Sequence, residues 1–516
     1  MQESMVEVAE ASHVSEAVND SLPVSPFTAR RAKREARFRW PEWSAIALYV
    51  AILAYAIPFH EPWADEAQAW QLARSLSLGQ LFQTFIRYEA SPGLWHFLLW
   101  IFIQCHISYA GLHWICGAIA VASTSVLVLH SPFPRYLKLT LPFTFFLLFQ
   151  YAVVARSYVL APPLLFLVAL WWKRRPIWVA IALGLLANVS LHTAVISGGL
   201  AIVFFVEQFR ERGSRITALR SKFLLCASVV LSLYAFSLWT AWPPADLGAH
   251  IALARANQLP FFFQALRALI MPFGQPSLVL VALSFWVSIF LALGTRRRLH
   301  YLLPVLFFFL FAGLTRSYPW HFGLLAPLLI CVLWITWPAP GSVLSRREIA
   351  GRVAMVYWVV LQIVWSAYTL RFDHFHAYSP DIAAVQMLKP YVKSGATIVV
   401  TYFGDSVEGD AGAVGILPYF DHNIFANQPE PFYWWGEKNP TESRFYALLP
   451  SHPQIIVVET QEIGPESTVD LSGGKSRLLI EDNYRLTNVF CGTIPFRTAP
   501  YLTHCHLIFL YNGGAR

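Results

Sequence analysis

Long apolar runs separated by short polar segments recur along the chain from residue 43 to residue 370. A helix needs about 20 mostly apolar residues to cross the roughly 30 Å hydrocarbon core of a bilayer. The pattern therefore predicts a polytopic α-helical membrane protein with about 11 transmembrane helices. The predicted spans are 43–59, 111–130, 139–154, 157–172, 177–190, 193–206, 223–241, 277–294, 302–314, 322–337 and 353–370.

The basic residues lie in short clusters between these runs, which is typical of cytoplasmic loops. With 11 crossings, all the clusters face the same side. They are 30–39, Arg135 with Lys138, 173–175, 210–222, 296–298 and 346–352. The opposite side then holds segment 60–110, the breaks near Arg156 and His192, 242–276, 315–321 and everything after about residue 371. We expect a cytoplasmic N-terminus and an external C-terminal part, most simply in a bacterial inner (plasma) membrane.

Segment 92–107 is apolar enough to be a further span. Adding it alone would reverse every later segment and place residues 173–175 outside. We therefore expect a hydrophobic helix that lies in or dips into the outer leaflet. One alternative is that 92–107 spans the membrane while 139–172 crosses it only once. A total of 12 or 13 transmembrane helices is a further possibility.

Composition supports this class of protein. Hydrophobic residues make up 56 % of the chain and charged residues only 13 %, which excludes an ordinary soluble domain. The net charge of +8 does not indicate nucleic-acid binding, because the basic residues form no continuous face. Residues 1–40 are polar and end in a basic stretch, so we predict a disordered cytoplasmic tail.

The composition changes near residue 373, and residues 371–516 are predicted to form a small external α/β domain after the transmembrane domain 41–370. "SPDIAAVQMLKPYVKSG" is typical of an amphipathic helix, and "ATIVVTY", "QIIVVET", "SRLLI" and "HLIFLY" are typical of strands. Cys491 and Cys505 either form a disulfide or stay free. "HCH" at residues 504–506 fits a half-buried strand better than a metal site.

Ionisable residues collect on the predicted outer side, which is unusual for a protein with so few charges. A charged side chain near the membrane costs free energy unless it is paired, hydrated or functional. The cluster therefore predicts a site that includes Asp65, Glu66, Glu89, Arg156, His192, Arg316 and His321. The structural alternatives are a solvated helix start for the acids, snorkelling for Arg156 and a buried core imidazole for the histidines.

Asp65 and Glu66 follow the first span directly. Neighbouring residues on a helix point about 100° apart, so we expect one acid to face a cavity while the other braces the loop. Arg156 and Arg316 suit a phosphate group, because guanidinium donates to phosphate oxygens. Trp63 and Trp70 flank the acids and would stack on sugar rings, although interfacial tryptophan belts are the commoner explanation.

These residues form motifs, "WADEAQAW" at residues 63–70 and then Glu89 ahead of "SPGLWHFLL". The arrangement resembles the GT-C superfamily of membrane glycosyltransferases, and within it the protein O-mannosyltransferases and bacterial aminoarabinose transferases. The resemblance is strongest over residues 43–200. One departure concerns the second motif, often written H/K-P-P-L, where Ser91 and Gly93 stand in this chain and put the donor contact usually made there in doubt.

The resemblance implies transfer of a sugar from a polyprenyl-phosphate donor to a glycan, lipid or protein acceptor on the external face, with inversion. Asp65 would then be the general base. Glu66 and Glu89 would orient the acceptor or a metal, and Asp65 and Glu89 would be the ligands if a divalent ion is used. The residues expected to contact the phosphate or sugar are Arg156, Tyr158, His192, Arg316, His321, Trp63 and Trp70.

Two other classes of protein stay open. A flippase or transporter for lipid-linked oligosaccharide also needs basic residues along a lipid path, but it predicts ionisable residues at midplane depth and on both faces. A structural membrane protein with an external binding domain would tolerate loss of Asp65. The ionisable residues here lie nearly all at one edge, which favours the enzyme.

Overall fold

The computed structural model describes residues 39–89, 91–210, 216–245, 279–293, 298–315, 317, 319–338, 344–403, 413–434, 440–461, 483–494 and 502–513. Three predictions lie outside the described residues. These are the disordered tail, the strand "SRLLI" and the phosphate contact of Arg316.

The described part of residues 39–375 is a bundle of helices. The helices are α1 Trp40–Ala56, α2 Ala64–Ser75, α3 Leu78–Gln83, α4 Leu94–Gln104, α5 Tyr109–His130, α6 Arg135–Thr140, α7 Ala161–Trp171, α8 Pro176–Ala187, α9 Leu191–Arg210, α10 Ile216–Ala241, α11 Val279–Leu293, α12 Leu303–Leu314, α13 Pro319–Phe322, α14 Leu325–Thr336 and α15 Arg346–Phe375. Short 3₁₀ helices cover Phe85–Glu89, Leu141–Phe143, Ser157–Leu160 and Leu299–Leu302. Ten of the 11 predicted spans coincide with helices, and the exception is 139–154.

Local sequence explains several helix starts. Ser108 caps α5 by accepting a hydrogen bond from the Gly111 amide. Ser345 and Glu348 form a capping box at the start of α15. Such caps satisfy amide groups that have no partner in the first turn of a helix.

The prediction of a regular helical span over residues 139–154 is wrong. The segment contains the end of α6, a 3₁₀ turn at Leu141–Phe143 and a π-helical turn at Phe146–Gln150. Pro142 has no amide hydrogen, and every residue from 144 to 155 is buried. Irregular backbone is tolerated at membrane depth when protein surrounds it, and an all-apolar stretch does not reveal it by periodicity.

Among the described helices, four are long and apolar enough to cross a bilayer by themselves: Tyr109–His130, Leu191–Arg210, the Lys222–Ala241 part of α10, and Arg346–Phe375. Shorter apolar helices accompany them. One of these is α4, whose 11 residues span about 16 Å, roughly half the hydrocarbon core. That length fits a helix that dips into one leaflet, and the number of crossings stays a prediction.

The C-terminal part contains α16 Asp381–Lys393, α17 Thr441–Leu448 and a four-stranded sheet, together with 3₁₀ helices at Val414–Tyr419 and Leu449–Ser451. The strands are β1 Ile398–Phe403, β2 Ile455–Gln461, β3 Tyr484–Ile494 and β4 Leu502–Tyr511, in the order β1-β2-β4-β3. β1 and β2 are parallel and the other pairs antiparallel. Helix α16 and strands β1, β2 and β4 confirm the predicted α/β composition.

A disulfide joins Cys491 and Cys505, which face each other in the β3–β4 ladder. This settles the two alternatives left open by the sequence. Strand β3 itself was not predicted, because apolar and polar residues do not alternate along it. Its exposed positions include the apolar Leu486 and Val489, and its register shifts between Leu486 and Asn488.

The sheet domain packs on the helical part through α2. One buried cluster includes Trp70 of α2 together with Val414, Ile416 and Leu417. Arg74 adds polar contacts by donating hydrogen bonds to the carbonyls of Leu417 and Phe420, at 3.3 and 3.0 Å. The C-terminal domain therefore rests against the helix that carries Asp65.

Candidate functional site

A polar cavity of about 350 Å³ opens where the ends of several helices meet. Its walls come from α2, the 3₁₀ turn before α4, the start of α4, the break before α7, the start of α9, the end of α12 and α13. Six of the ten predicted site residues line it: Asp65, Glu89, Arg156, Tyr158, His192 and His321. Five of the six belong to segments that the charge pattern assigns to the outer side, and Tyr158 lies at the start of the adjoining predicted span 157–172.

Asp65 and Arg156 form an ion pair in this cavity. Arg156 Nη1 lies 2.7 Å from Asp65 Oδ2, and the exposed fractions of the two side chains are 18 and 40 %. The guanidinium is also surrounded by aromatic rings, with its Cζ 5.9 Å from the Trp63 ring centre, 5.3 Å from Tyr158 and 5.0 Å from Trp320. Ring faces attract cations, so the three rings stabilise the charged group in a fixed position.

Glu66 does not line the cavity. Its Oε1 accepts a hydrogen bond from the Trp63 amide at 3.2 Å, and its Oε2 lies 3.1 Å from His113 Nε2 and accepts from the Ala155 amide. Burial alone would raise the pKa of this carboxyl, but the contacts with His113 and His60 outweigh burial and hold the pKa well below its ordinary range. Glu66 thus ties the start of α2 to neighbouring segments, which matches the bracing role expected for one of the two acids.

The same network continues to the end of α15. His60 Nε2 lies 3.5 Å from Glu66 Oε1, and His60 Nδ1 lies 3.2 Å from Asp373 Oδ2. Burial tends to lower the pKa of His60, but the carboxylates of Asp373 and Glu66 raise it to about 10. The imidazolium therefore bridges two buried carboxylates, and the loop after α1 is held against the segment that leads into the C-terminal domain.

Glu89 is the second acid in the cavity wall. Gln68 Nε2 donates a hydrogen bond to Glu89 Oε1 at 2.9 Å. Glu89 keeps part of its surface open to the cavity. Burial and the nearby charge of Asp65 together raise its pKa to about 7, against the opposing effects of Gln68 and Arg156. A carboxyl with this pKa exchanges its proton close to neutral pH.

Two histidines stack in another part of the wall. The rings of His192 and His321 lie 4.1 Å apart at an angle of 12°, and His192 Nε2 lies 2.8 Å from the Ser317 hydroxyl. His321 Nε2 accepts from the Trp320 indole at 3.1 Å. The two imidazoles thus form a stacked pair that is held by contacts with Ser317 and Trp320. Both histidines line the cavity together with Arg156.

The predicted aromatic contacts separate into two kinds. Trp63 supports Arg156 but does not line the cavity, so its contact with the site is through the guanidinium. Trp70 is buried against Tyr109, with ring centres 5.6 Å apart, and belongs to the core under the C-terminal domain. This differs from the expectation that Trp70 touches a sugar, because the residue is only 4 % exposed and does not line the cavity.

Sequence reasoning missed twelve residues of the wall, and three of these have side chains or contacts that matter for the site. They are Gln68, His96 and Tyr433. Gln68 Oε1 accepts from the Tyr433 amide at 3.0 Å, and its Nε2 donates to the Tyr433 carbonyl, so the C-terminal domain contributes to the cavity. In the sequence, Tyr433 belongs to the aromatic stretch 415–435, which is a weak signal for contact with a glycan, whereas His96 lies in an apolar run.

The option of a divalent metal at Asp65 and Glu89 does not fit the described residues. Among them there is no group of three or more His, Cys, Asp or Glu side chains placed to hold an ion. Asp65 is paired with Arg156, and the raised pKa of Glu89 disfavours the ionised form that a metal needs. No step proposed below uses a metal.

The fold and the site together define a class of membrane protein. It is a helical bundle with a charged cavity at one end of the helices, and a small α/β domain contributes to the cavity wall. Among solved structures, the chain is similar to ArnT from Cupriavidus metallidurans, an aminoarabinose transferase bound to undecaprenyl phosphate. The TM-score is 0.51 at 10 % identity, and the match covers 90 % of this chain and 97 % of ArnT. The chain therefore shares the fold of ArnT over most of its length, which agrees with the fold that the resemblance implied.

A second similar structure is the arabinofuranosyltransferase AftD from Mycobacteria. The TM-score is 0.43 at 12 % identity, with 93 % of this chain and 40 % of AftD covered. No protein-family model and no curated protein matches the chain.

Proposed function

We propose that this chain is a membrane glycosyltransferase that moves a sugar from a polyprenyl-phosphate donor to a hydroxyl of a glycan, lipid or protein acceptor on the external face of the membrane. The observation that carries the proposal is the Asp65–Arg156 pair in a polar cavity of an ArnT-like fold. The undecaprenyl phosphate bound to ArnT supports a polyprenyl-phosphate donor here.

In the proposed reaction, Asp65 is the general base. The acceptor oxygen attacks the anomeric carbon of the donor sugar while its proton passes to the Asp65 carboxylate. The bond between the anomeric carbon and the phosphate oxygen breaks, and the polyprenyl phosphate leaves with the bonding electrons. Attack from the side opposite the leaving group inverts the anomeric configuration. Such base catalysis typically contributes about 10²- to 10⁴-fold in rate.

Arg156 stabilises the leaving phosphate in this mechanism. Its guanidinium has five N–H donors, so it can bind phosphate oxygens while it retains the contact with Asp65. The rings of Trp63, Tyr158 and Trp320 hold it in place, which reduces the reorganisation needed as charge develops. His192 and His321 lie in the same wall and add further contacts to the phosphate. Arg316 remains a predicted partner of that group.

The test compares the intact protein with Asp65→Asn in proteoliposomes that contain a panel of polyprenyl-phosphate sugars labelled in the sugar. Release of polyprenyl phosphate is followed with a mixture of glycan, lipid and peptide acceptors. We expect consumption of one donor by the intact protein and a loss of at least about 100-fold in Asp65→Asn. Asp421→Asn is the matched control, because Asp421 is exposed and lies outside the cavity.

Two results would contradict the proposal. Equal turnover by the intact protein and Asp65→Asn would remove the assigned base. Movement of labelled lipid between leaflets without any consumption of donor would replace the enzyme by a flippase.

A further inference from the structure

His96 lies in the first turn of α4 and lines the same cavity as Asp65 and Glu89. Its side chain is on the inward face of the helix together with Trp95 and Leu99, and the residue is only 4 % exposed. The mechanism above does not use it.

Neither ring nitrogen of His96 has a hydrogen-bond partner in the described part of the chain. The other buried histidines described there each have at least one. His60 contacts Asp373, His113 contacts Glu66, His192 contacts Ser317, and His506 contacts Asp381. A buried polar group without a partner costs about 1–3 kcal/mol, so such a group calls for an explanation. Both nitrogens are covered in this geometry, so a ligand that enters the cavity would supply the missing partners after a turn of the ring exposes them.

The chemistry of the ring limits what this ligand can be. No carboxylate among the described residues forms an ion pair with His96, and burial disfavours the charged imidazolium. A neutral imidazole presents one N–H donor and one acceptor nitrogen. Phosphate oxygens accept only and a prenyl chain does neither, whereas sugar hydroxyls both donate and accept.

We infer that His96 binds hydroxyl groups of a sugar in this cavity. The inference rests on the proposed function, and it extends that function by naming a specificity-determining residue. The sugar belongs either to the lipid-linked donor or to a glycan acceptor, since both offer the same hydroxyl chemistry. Because the site is built to hydrogen-bond a hydroxyl, it should discriminate against a sugar that lacks it.

The variants that test this are His96→Leu, which removes both nitrogens, and His96→Asn and His96→Gln, which each return polar atoms near one of the two ring nitrogens. The matched control is His130→Leu, since His130 is exposed at the far end of α5. Thermal unfolding in detergent is measured for each variant. A histidine with a purely structural role would change the unfolding temperature and leave sugar selectivity as it is.

Kinetics are measured with the donor that the intact protein consumes and with analogues that each lack one hydroxyl, first on the donor sugar and then on the acceptor sugar. We expect His96→Leu to lower kcat/KM by about 10- to 100-fold, mainly through KM, with partial recovery in Asn or Gln. One deoxy analogue should be poor for the intact protein but equal to its parent for His96→Leu. A deoxy donor with this behaviour assigns the hydroxyl to the donor, and a deoxy acceptor assigns it to the acceptor.

The inference is overturned if His96→Leu keeps the selectivity of the intact protein for every hydroxyl, or if its kinetics are unchanged. Equilibrium binding of the parent and deoxy lipid-linked sugars to the protein in nanodiscs provides a readout that does not need turnover. If the intact protein consumes no donor, the proposed function fails. The inference about His96 then depends on the binding measurement, in which His96→Leu should bind the lipid-linked sugar more weakly than the intact protein.

Discussion

Asp65 and Glu66 are adjacent acids with different surroundings, and their surroundings separate their roles. Asp65 faces the cavity and contacts Arg156, whereas Glu66 is enclosed by His113, His60 and two backbone amides. A carboxylate held by that many donors is stabilised in its charged form and is a poor proton acceptor. Helix geometry predicted that the two would differ, but not which of them would face the cavity.

Glu89 leads to a prediction about pH. Its ordinary pKa of 4.5 is raised to about 7 in the folded protein. Between these values the folded state holds a proton that the unfolded state has released, so this group stabilises the fold below about pH 4.5 and loses that contribution as the pH rises towards 7. Glu89→Gln does not ionise, so the variant should gain stability relative to the intact protein as the pH is raised from 5 to 8.

The measurement is the unfolding temperature of the intact protein and Glu89→Gln across this pH range in one detergent. Glu442→Gln is the control, because Glu442 is exposed in the first turn of α17. Parallel curves for the intact protein and Glu89→Gln would show that Glu89 has the same pKa in the folded and the unfolded protein, which would contradict the prediction.

At the scale of elements, the length of each apolar run predicted where a helix occurs. It did not predict whether the backbone there forms one continuous α-helix. The runs that became α1, α5 and α9 have caps or polar ends that a sequence displays. Residues 144–155 are buried throughout, so no polar face marks the π-helical turn or the break before Arg156. Strand β3 was missed for a different reason, because apolar and polar residues do not alternate along it and the apolar Leu486 and Val489 are exposed.

Helix packing gives a prediction for Gly199 in α9. A Cβ atom at this position would lie 2.5 Å from the Cα of Pro304, and backbone cannot move aside as a side-chain tip can. Overpacking of this kind costs about 1–3 kcal/mol, so we expect Gly199→Ala to lower the unfolding temperature by several degrees. The neighbouring Gly198→Ala is the control, since its Cβ would lie 3.3 Å from the hydroxyl at the end of the Tyr234 side chain.

Both variants gain the same helix propensity from alanine, so any difference between them reflects packing. Equal unfolding temperatures for the two would contradict the close approach of α9 and α12. A fall in Gly198→Ala alone would place the tight contact at Tyr234 instead.

For the whole molecule, the cavity depends on residues that lie far apart in the chain, from Asp65 to Tyr433. The charge pattern predicted that Asp65, Glu89, Arg156, His192 and His321 lie on one side of the membrane, and that restriction is why the site could be predicted in part. Which of them meet is decided by helix packing, and the contribution of the C-terminal domain depends on how it rests on α2. Neither is readable from local sequence, so Gln68, His96 and Tyr433 were missed.

The docking of the C-terminal domain gives the last prediction. Arg74 donates to the carbonyls of Leu417 and Phe420 but does not line the cavity. Each hydrogen bond from a charged donor contributes about 1.5–3 kcal/mol, so Arg74→Ala should loosen the segment 413–434 that carries Tyr433. Hydrogen exchange in this segment should become faster, and kcat/KM should fall several-fold even though no cavity residue has changed.

Arg444→Ala is the control, because Arg444 is exposed on α17 of the same domain. Faster exchange with unchanged kcat/KM would mean that the domain covers the cavity without shaping it. Unchanged exchange in Arg74→Ala would mean that the apolar contact between α2 and the Val414–Tyr419 turn is sufficient for docking. Faster exchange together with a fall in kcat/KM would connect the position of the C-terminal domain to turnover through Gln68, which contacts Glu89 on one side and Tyr433 on the other.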